Sequence, residues 1–464
     1  MQGQKGRRPT GSARCTPDPH TREAFDTFQA DDPRETDALR GKATERAHLP
    51  PLGATTASRI QPTGCVYAPN VTASPLTHEQ LIDWAEAMVP RLAERAADAE
   101  RLRAIPAATL AECDAVDLWS LVMPQSRGGH GLGLRSLCEM SRTLAHGCAS
   151  TAWTVSFLTL HNWFVRRATP EVQQAVFAGA SSIRMATPLA PAGQAVPVAG
   201  GYVLDGRWQW ATGILHADWV AVMALVVAED RPRAPRVFLA PVGDVEILDV
   251  WHTSGMRATG SHDVAAHGLF VPDNHTMEVD HLRGEDPPGS HHDADPFLRY
   301  PMSAVLTLYA AATVVGAAEA AVDQFRDLMA RRILAHSPGD RQVDQPTSQA
   351  RLAEARATVR ACRLVWADAI DRLCRTYDAG LSIPREQRGE FRLAAAHAVR
   401  LGREAVEIAS LGIGASVYFT DQPFQRIERD LAMLKGHVVY DWDRVTQLAG
   451  RLELGLPAAP SDLL

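Results

Sequence analysis

The chain has no excess of positive charge: 47 lysines and arginines stand against 54 aspartates and glutamates, a formal charge of −7 over 464 residues. That balance offers no general attraction to nucleic acid or to an anionic membrane surface, so neither is expected as a partner. Cysteine is scarce, and the seven present (15, 65, 113, 138, 148, 362 and 374) form no CxxC pair and no regular spacing. A scattered, odd-numbered set argues against a disulfide frame and suits reduced thiols in a cytoplasmic protein. No stretch reads as an apolar run of the roughly 18 residues that cross a bilayer. The basic N-terminus (Lys5, Arg7, Arg8, Arg14) is followed by no apolar segment of the kind a secretory signal requires. A dinucleotide fingerprint is missing as well. The Gly-rich stretch Gly128-Gly129-His130-Gly131-Leu132-Gly133 runs into Leu134, no apolar strand feeds it, and it reads as a plain turn. With 46% hydrophobic and 22% charged residues, the composition is that of a soluble globular enzyme.

What is present is organised in three blocks behind a polar leader. Residues 1–72 are rich in Gly, Pro, Thr, Arg and Asp and are expected to be a flexible extension. From Thr77, a plausible N-cap, Leu81, Trp84, Ala85 and Met88 share a helical face, and further helices are expected over 107–116, 134–147, 151–165 and 170–178. Between 183 and 275 the apolar pattern becomes short, alternating and β-branched. Tyr202-Val203-Leu204, Asp205-Gly206 and Arg207-Trp208-Gln209-Trp210 read as a hairpin, with strands over Val220–Val227, Val237–Pro241, Val245–Val250 and Val264–Val271. A polar loop over 276–300 holds His291-His292-Asp293 and Asp295, but adjacent histidines rarely point at one ion, so a solvated loop without metal is expected. Long Ala- and Leu-rich segments over 302–335, 347–377, 386–412 and 423–450 fit a four-helix bundle. The expected fold is thus mainly α with a central β domain: a helical domain over 73–182, a β domain over 183–295 and a helical bundle over 296–464.

That order, with several local stretches, resembles the acyl-CoA dehydrogenase fold and, in detail, its hydroxylating relatives, the group D two-component flavin-dependent monooxygenases. These include the oxygenase components of p-hydroxyphenylacetate 3-hydroxylase and of the secosteroid phenol hydroxylase. The matching stretches are Pro124–Gly131; Ala145–Trp153 followed by His161; Gly200–Gly213 followed by His216-Ala217-Asp218-Trp219; Gly255–Val264; and Gln425–Asp430 leading to His437. The resemblance spans about residues 75–460. It implies reduced flavin (FMNH2 or FADH2) and O2 as co-substrate, reacting through a flavin C4a-hydroperoxide to hydroxylate an aromatic, phenolic molecule. It also implies a separate NAD(P)H:flavin reductase and a homotetramer.

Carried onto this chain, the family pattern places Thr212 beside the flavin N5 and His437 beside flavin and substrate, with His161 on the opposite wall. A neutral imidazole at His437 would deprotonate a phenol, and an imidazolium there would stabilise developing negative charge. Trp210 and Gly213 fall at the cofactor, although a core tryptophan is nearly as good a reading of Trp210. Arg257, Thr259 and Ser261, with Arg331 or Arg332, are candidates for the flavin phosphate, whereas His146, His216 and His262 are expected to be structural or to support the site from behind its lining. Two alternatives remain open. An N-hydroxylating relative would act on an amine. An acyl-CoA dehydrogenase would need a carboxylate shortly after Arg429-Asp430, and none occurs before Asp441.

Overall fold

The computed structural model describes residues 74–228, 231–335, 339–459 and 462; the expected extension over 1–72 lies outside them. Helix α1 (His78–Leu102) opens on a reciprocal cap: Thr77 Oγ1 accepts from the Gln80 N–H at 3.2 Å, and Gln80 Oε1 accepts from the Thr77 N–H at 2.9 Å. Its buried stripe of Leu81, Ala85, Met88, Leu92, Ala96 and Ala99 keeps the helical period. Helices α2 (Ala107–Ala115), α3 (Leu134–Ala145), α4 (Ala149–Arg167) and α5 (Pro170–Phe177) complete the first block. All but one of the residues of α4 are buried, which makes it the axis on which the rest is hung.

The central block is one mixed sheet. Its strands are β1 (Met185–Ala186), β2 (Pro191–Val198), β3 (Gly201–Ala211), β4 (Trp219–Ala228), β5 (Arg231–Pro241), β6 (Glu246–Leu248), β7 (His262–Pro272) and β8 (Thr276–Glu278). They run in the order β6-β7-β3-β2-β4-β5-β8, with β1 beside β4; the pairs of β4 with β1 and β2 are parallel and the others antiparallel. The hairpin expected at Asp205-Gly206 does not form, because β3 passes straight through it. Gly206 is there for close approach rather than for a turn. A Cβ on it would meet Gly193 Cα at 2.6 Å and Trp208 Cη2 at 2.9 Å, since the buried Trp208 indole lies across both glycines. Asp205 meanwhile accepts from the Gly268 N–H at 2.7 Å beside a register shift between β3 and β7.

The third block consists of α6 (Val279–Arg283), α7 (Met302–Arg331), α8 (Pro346–Asp378), α9 (Gly389–Ile413), α10 (Pro423–Leu434) and α11 (Trp442–Glu453). By length and composition α7 is apolar enough to cross a bilayer, contrary to the reading of the sequence, but 89% of its most apolar window is buried inside the fold. It is the core helix of the bundle. Gly316 lets it close on α3, because any Cβ there would strike the Arg142 carbonyl and lie 3.0 Å from Ala145 Cβ. The helix expected over 423–450 is broken. α10 stops at Leu434, a short 3-10 turn spans Val438–Tyr440, and Asp441 restarts the chain as the cap of α11 by accepting from the Arg444 N–H at 3.2 Å. The break puts His437 at the N-cap of the turn rather than on a helix face.

The loop over 276–300 is anchored rather than solvated. Arg166, at the end of α4, holds Asp293 and Asp295 at 2.6 and 2.8 Å, and Phe297 and Leu298 are buried. Those carboxylates are therefore committed to a guanidinium, and among the described residues no cluster of His, Cys, Asp or Glu could hold a metal ion.

Candidate active site

Helix α4 sets one wall. Trp153, Phe157 and His161 recur at a spacing of four, so they share one face of the helix. Their rings touch in sequence, Trp153 to Phe157 at 4.6 Å between centroids and Phe157 to His161 at 5.6 Å. The break after α10 brings His437 to the other end of this row, edge-on to Trp153 at 5.5 Å. Tyr309 from α7 meets Phe157 at 4.9 Å, and Tyr440 meets His437 at 5.8 Å. Two histidines expected on facing walls thus flank a single aromatic row.

The two imidazoles are held differently. His161 is buried, and its Nδ1 lies 2.6 Å from the Met185 carbonyl. A carbonyl has no proton to give, so Nδ1 carries the hydrogen and Nε2 the lone pair. His437 accepts the Val439 N–H at Nδ1, at 3.4 Å, which leaves its proton on Nε2. Burial pushes both pKa values down to about 4, partly opposed at His161 by the Met185 bond. Both are neutral at pH 7, one an acceptor and the other a donor.

The second part of the site lies at the end of β3. Trp210 is no core residue: it is 65% exposed, and its φ of 68° places a bulky aromatic in the left-handed region where the β3–β7 register slips. Gly213 follows with φ 72°, and a Cβ there would sit 2.8 Å from Thr154 Cγ2 on α4. Between them Thr212 Oγ1 lies 2.9 Å from Ser261 Oγ, and Ser261 Oγ lies 2.7 Å from Thr259 Oγ1. Thr259 donates in turn to the Met256 carbonyl at 2.9 Å. Thr259 and Ser261, expected near the phosphate, therefore spend their hydroxyls on a chain that ends at Thr212. Arg257 keeps a buried Nε without a hydrogen-bond partner. Arg331 and Arg332 are engaged with the carbonyls of Asp327 and Ile413.

Asp430, of the Arg-Asp pair, anchors this turn from α10. Its carboxylate accepts the Met256 N–H at 2.5 Å and lies 3.4 Å from Ser150 Oγ, and burial pushes its pKa up to about 6. His216 and His262 are buried and also pushed down to about 4, with burial the first cause. His216 accepts the Ile105 N–H at 3.0 Å, and His146 sits 3.0 Å from Glu319, so both serve the scaffold. Trp153 and Phe157 were readable from their spacing with His161 but were not singled out. Tyr309 and Tyr440 carry no sequence signal, since they come from separate segments. Both are buried, with hydroxyls lacking a geometric hydrogen-bond partner, although Ser156 lies beside that of Tyr309.

The buried histidines make stability depend on acid. Each has a folded pKa near 4 against an ordinary value of 6.5, so the unfolded chain takes up the proton first as pH falls. Stability is then full above pH 6.5 and is lost between 6.5 and about 4, at about 2 kcal/mol per histidine by pH 5. Asp430 works in the opposite direction between about 6 and 3.8, returning less than two histidines remove. The urea midpoint at pH 5.0 is expected to lie below that at pH 7.5; an unchanged or higher midpoint would contradict the buried neutral imidazoles.

Comparison with known proteins gives consistent matches. The model of the acyl-CoA dehydrogenase N-terminal domain matches residues 76–182, and that of the C-terminal domain matches residues 308–442. The chain is 32% identical over 384 residues to the pigment production hydroxylase of Rhodococcus sp. (strain ATCC 21145), covering 83% of this chain and 98% of that one. It is 30% identical over 382 residues to the flavin-dependent monooxygenase oxygenase subunit HsaA of Mycobacterium tuberculosis, covering 81% and 95%. The solved structure of XiaF from Streptomyces sp. in complex with FADH2 and glycerol superposes with a TM-score of 0.78 at 30% identity, covering 83% of this chain and 98% of that one.

Proposed function

This chain belongs to the flavin-dependent monooxygenase branch of the acyl-CoA dehydrogenase family, and from that premise we propose that it hydroxylates a phenolic small molecule beside a reduced flavin delivered by a separate reductase. The residues at the end of β3 fit such a cofactor. Trp210 offers an exposed indole face, Thr212 a polar atom for the ring edge, and Arg257 an unsatisfied buried donor for phosphate, while Gly213 lets this turn close against Thr154 of α4. When bound, reduced flavin supplies with O2 the oxygen atom that is transferred.

The observation that carries the reading is the pair of neutral histidines with opposite hydrogen placement along one aromatic row. The aromatic side chains bind a flat ring and exclude water. His161 Nε2 accepts the phenol O–H as a hydrogen bond, drawing the proton toward itself and raising electron density on the ring carbon that is to be oxygenated, while the Met185 carbonyl holds the other nitrogen. His437 Nε2–H donates to an oxygen and fixes the ring's orientation. This assignment reverses the one the sequence suggested for His437, because the 3-10 turn gives it the Val439 N–H. Dehydrogenation is disfavoured: Asp441, the first carboxylate after Asp430, caps α11 and pairs with Arg444 at 3.5 Å.

The test uses the full chain with NADH, FMN or FAD, a generic flavin reductase, 18O2, and phenols and amines side by side. Hydroxylated phenol carrying one 18O is expected, and no turnover without the reductase. Turnover with NADH and oxidised flavin alone would remove the separate reductase, and oxidation of amines only would replace the phenol reading.

A further inference from the structure

The hydroxyl chain behind Thr212 has a direction. The Met256 carbonyl can only accept, so its 2.9 Å contact with Thr259 Oγ1 uses the Thr259 proton. Thr259 then meets Ser261 at 2.7 Å as an acceptor, and the Ser261 proton lies between them. Ser261 in turn meets Thr212 at 2.9 Å as an acceptor, which consumes the Thr212 proton. The opposite direction would leave the Thr259–Met256 oxygens in contact with no hydrogen between them. Thr259 and Ser261 are buried and cannot exchange their partners for solvent. The far end is fixed as well. The Met256 carbonyl also accepts the Trp251 Nε1–H at 3.1 Å and the Thr259 N–H at 3.2 Å, and the Met256 N–H is held by Asp430 at 2.5 Å. Thr212 therefore presents lone pairs, and no proton, to whatever lies beyond it.

We infer that Ser261 and Thr259 are positioning residues that hold Thr212 as an acceptor only and so make the site selective for reduced over oxidised flavin. The inference rests on the proposed cofactor site. Reduced flavin bears a hydrogen on N5 and donates; oxidised flavin has a bare N5 that accepts. An acceptor-only hydroxyl satisfies the first and leaves the second facing lone pairs. For an oxygenase that receives its flavin reduced and must release it oxidised, the relay favours loading and product-side release with one arrangement of three hydroxyls.

The test is equilibrium binding of FMN and of FAD, each oxidised and dithionite-reduced under argon, to wild type, Ser261→Ala and Thr259→Val. Ser261→Ala frees Thr212 to donate outward. Thr259→Val keeps the shape but lets Ser261 turn its proton onto Thr212, reversing the chain from its far end. Each variant is expected to narrow the preference for reduced flavin about tenfold, mostly through tighter binding of the oxidised form. That corresponds to about 30 mV in the two-electron midpoint potential of the bound flavin. Ser261→Thr, which keeps the hydroxyl, is expected to retain the wild-type ratio. A purely structural role would weaken both redox forms together and leave the ratio alone, and a ratio unchanged within twofold in both variants overturns the relay. A wild type with no preference overturns it too. A wild type that binds neither redox form overturns the cofactor site itself, a result distinct from loss of the relay alone.

Discussion

Replacing His161 with alanine is expected to lower hydroxylated product per O2 consumed by about 10²- to 10⁴-fold, the range for a positioned acid–base group. Consumption of O2 with reduced flavin should continue, with hydrogen peroxide appearing in place of product. The expectation follows from one hydrogen bond: with Nδ1–H given to the Met185 carbonyl at 2.6 Å, Nε2 is the free acceptor. His437 donates instead, so His437→Ala should cost less, about tenfold, and show chiefly as a raised KM for the phenol. Product coupling, measured as hydroxylated phenol against peroxide at matched flavin turnover, separates the two. If His437→Ala uncouples more severely than His161→Ala, the roles are the reverse of those assigned. Because both imidazoles titrate near 4, wild-type coupling should stay flat from pH 6 to 8 rather than follow an ordinary histidine curve.

The order of helical domain, mixed sheet and bundle was legible because each depends on local period, which a single sequence carries. His161, Thr212 and His437 could be proposed for another reason, as they sit inside stretches that resemble the family. What escaped depended on contacts between segments. Asp205-Gly206 has the composition of a tight turn, yet the Trp208 indole lying over Gly193 and Gly206 turns it into a place of close packing. The break at Lys435-Gly436-His437 was hidden because the flanking apolar pattern continues at helical spacing through it. The use of Ser261 and Thr259 could not be read at all. Whether a hydroxyl faces a phosphate or another hydroxyl is decided by where β7 meets the end of β3, and nothing local to residues 257–261 records that.

The same limit applies to the Arg166-Arg167 pair, where the second large effect is expected. Beside a loop bearing His291, His292 and two aspartates, two consecutive arginines look like solvated charge. Instead Arg167 is fully buried and meets no carboxylate in an ion pair among the described residues. Its Nε donates to the His281 carbonyl at 3.1 Å, its other nitrogens to the carbonyls of Gly284, Leu298 and Tyr300, and its plane lies 4.6 Å over the Trp163 ring. Burial pushes its pKa down to about 9, so the charge is retained at neutral pH. Arg167→Met fills similar space but strands four carbonyls, and a loss of about 3–5 kcal/mol is expected. In a chain of this size that lowers Tm by roughly 3–6 °C. Arg167→Lys should recover less than half, because an ammonium on a flexible stem cannot reproduce the fork that spans carbonyls from two segments. A methionine variant within about 1 kcal/mol of wild type would mean that the loop finds other donors and that the anchor is dispensable. If the loss is as large as expected, coupling should also fall well below the melting point, since Arg167 closes the end of the helix that carries Trp153, Phe157 and His161. Coupling that stays intact in a destabilised variant would confine Arg167 to the scaffold.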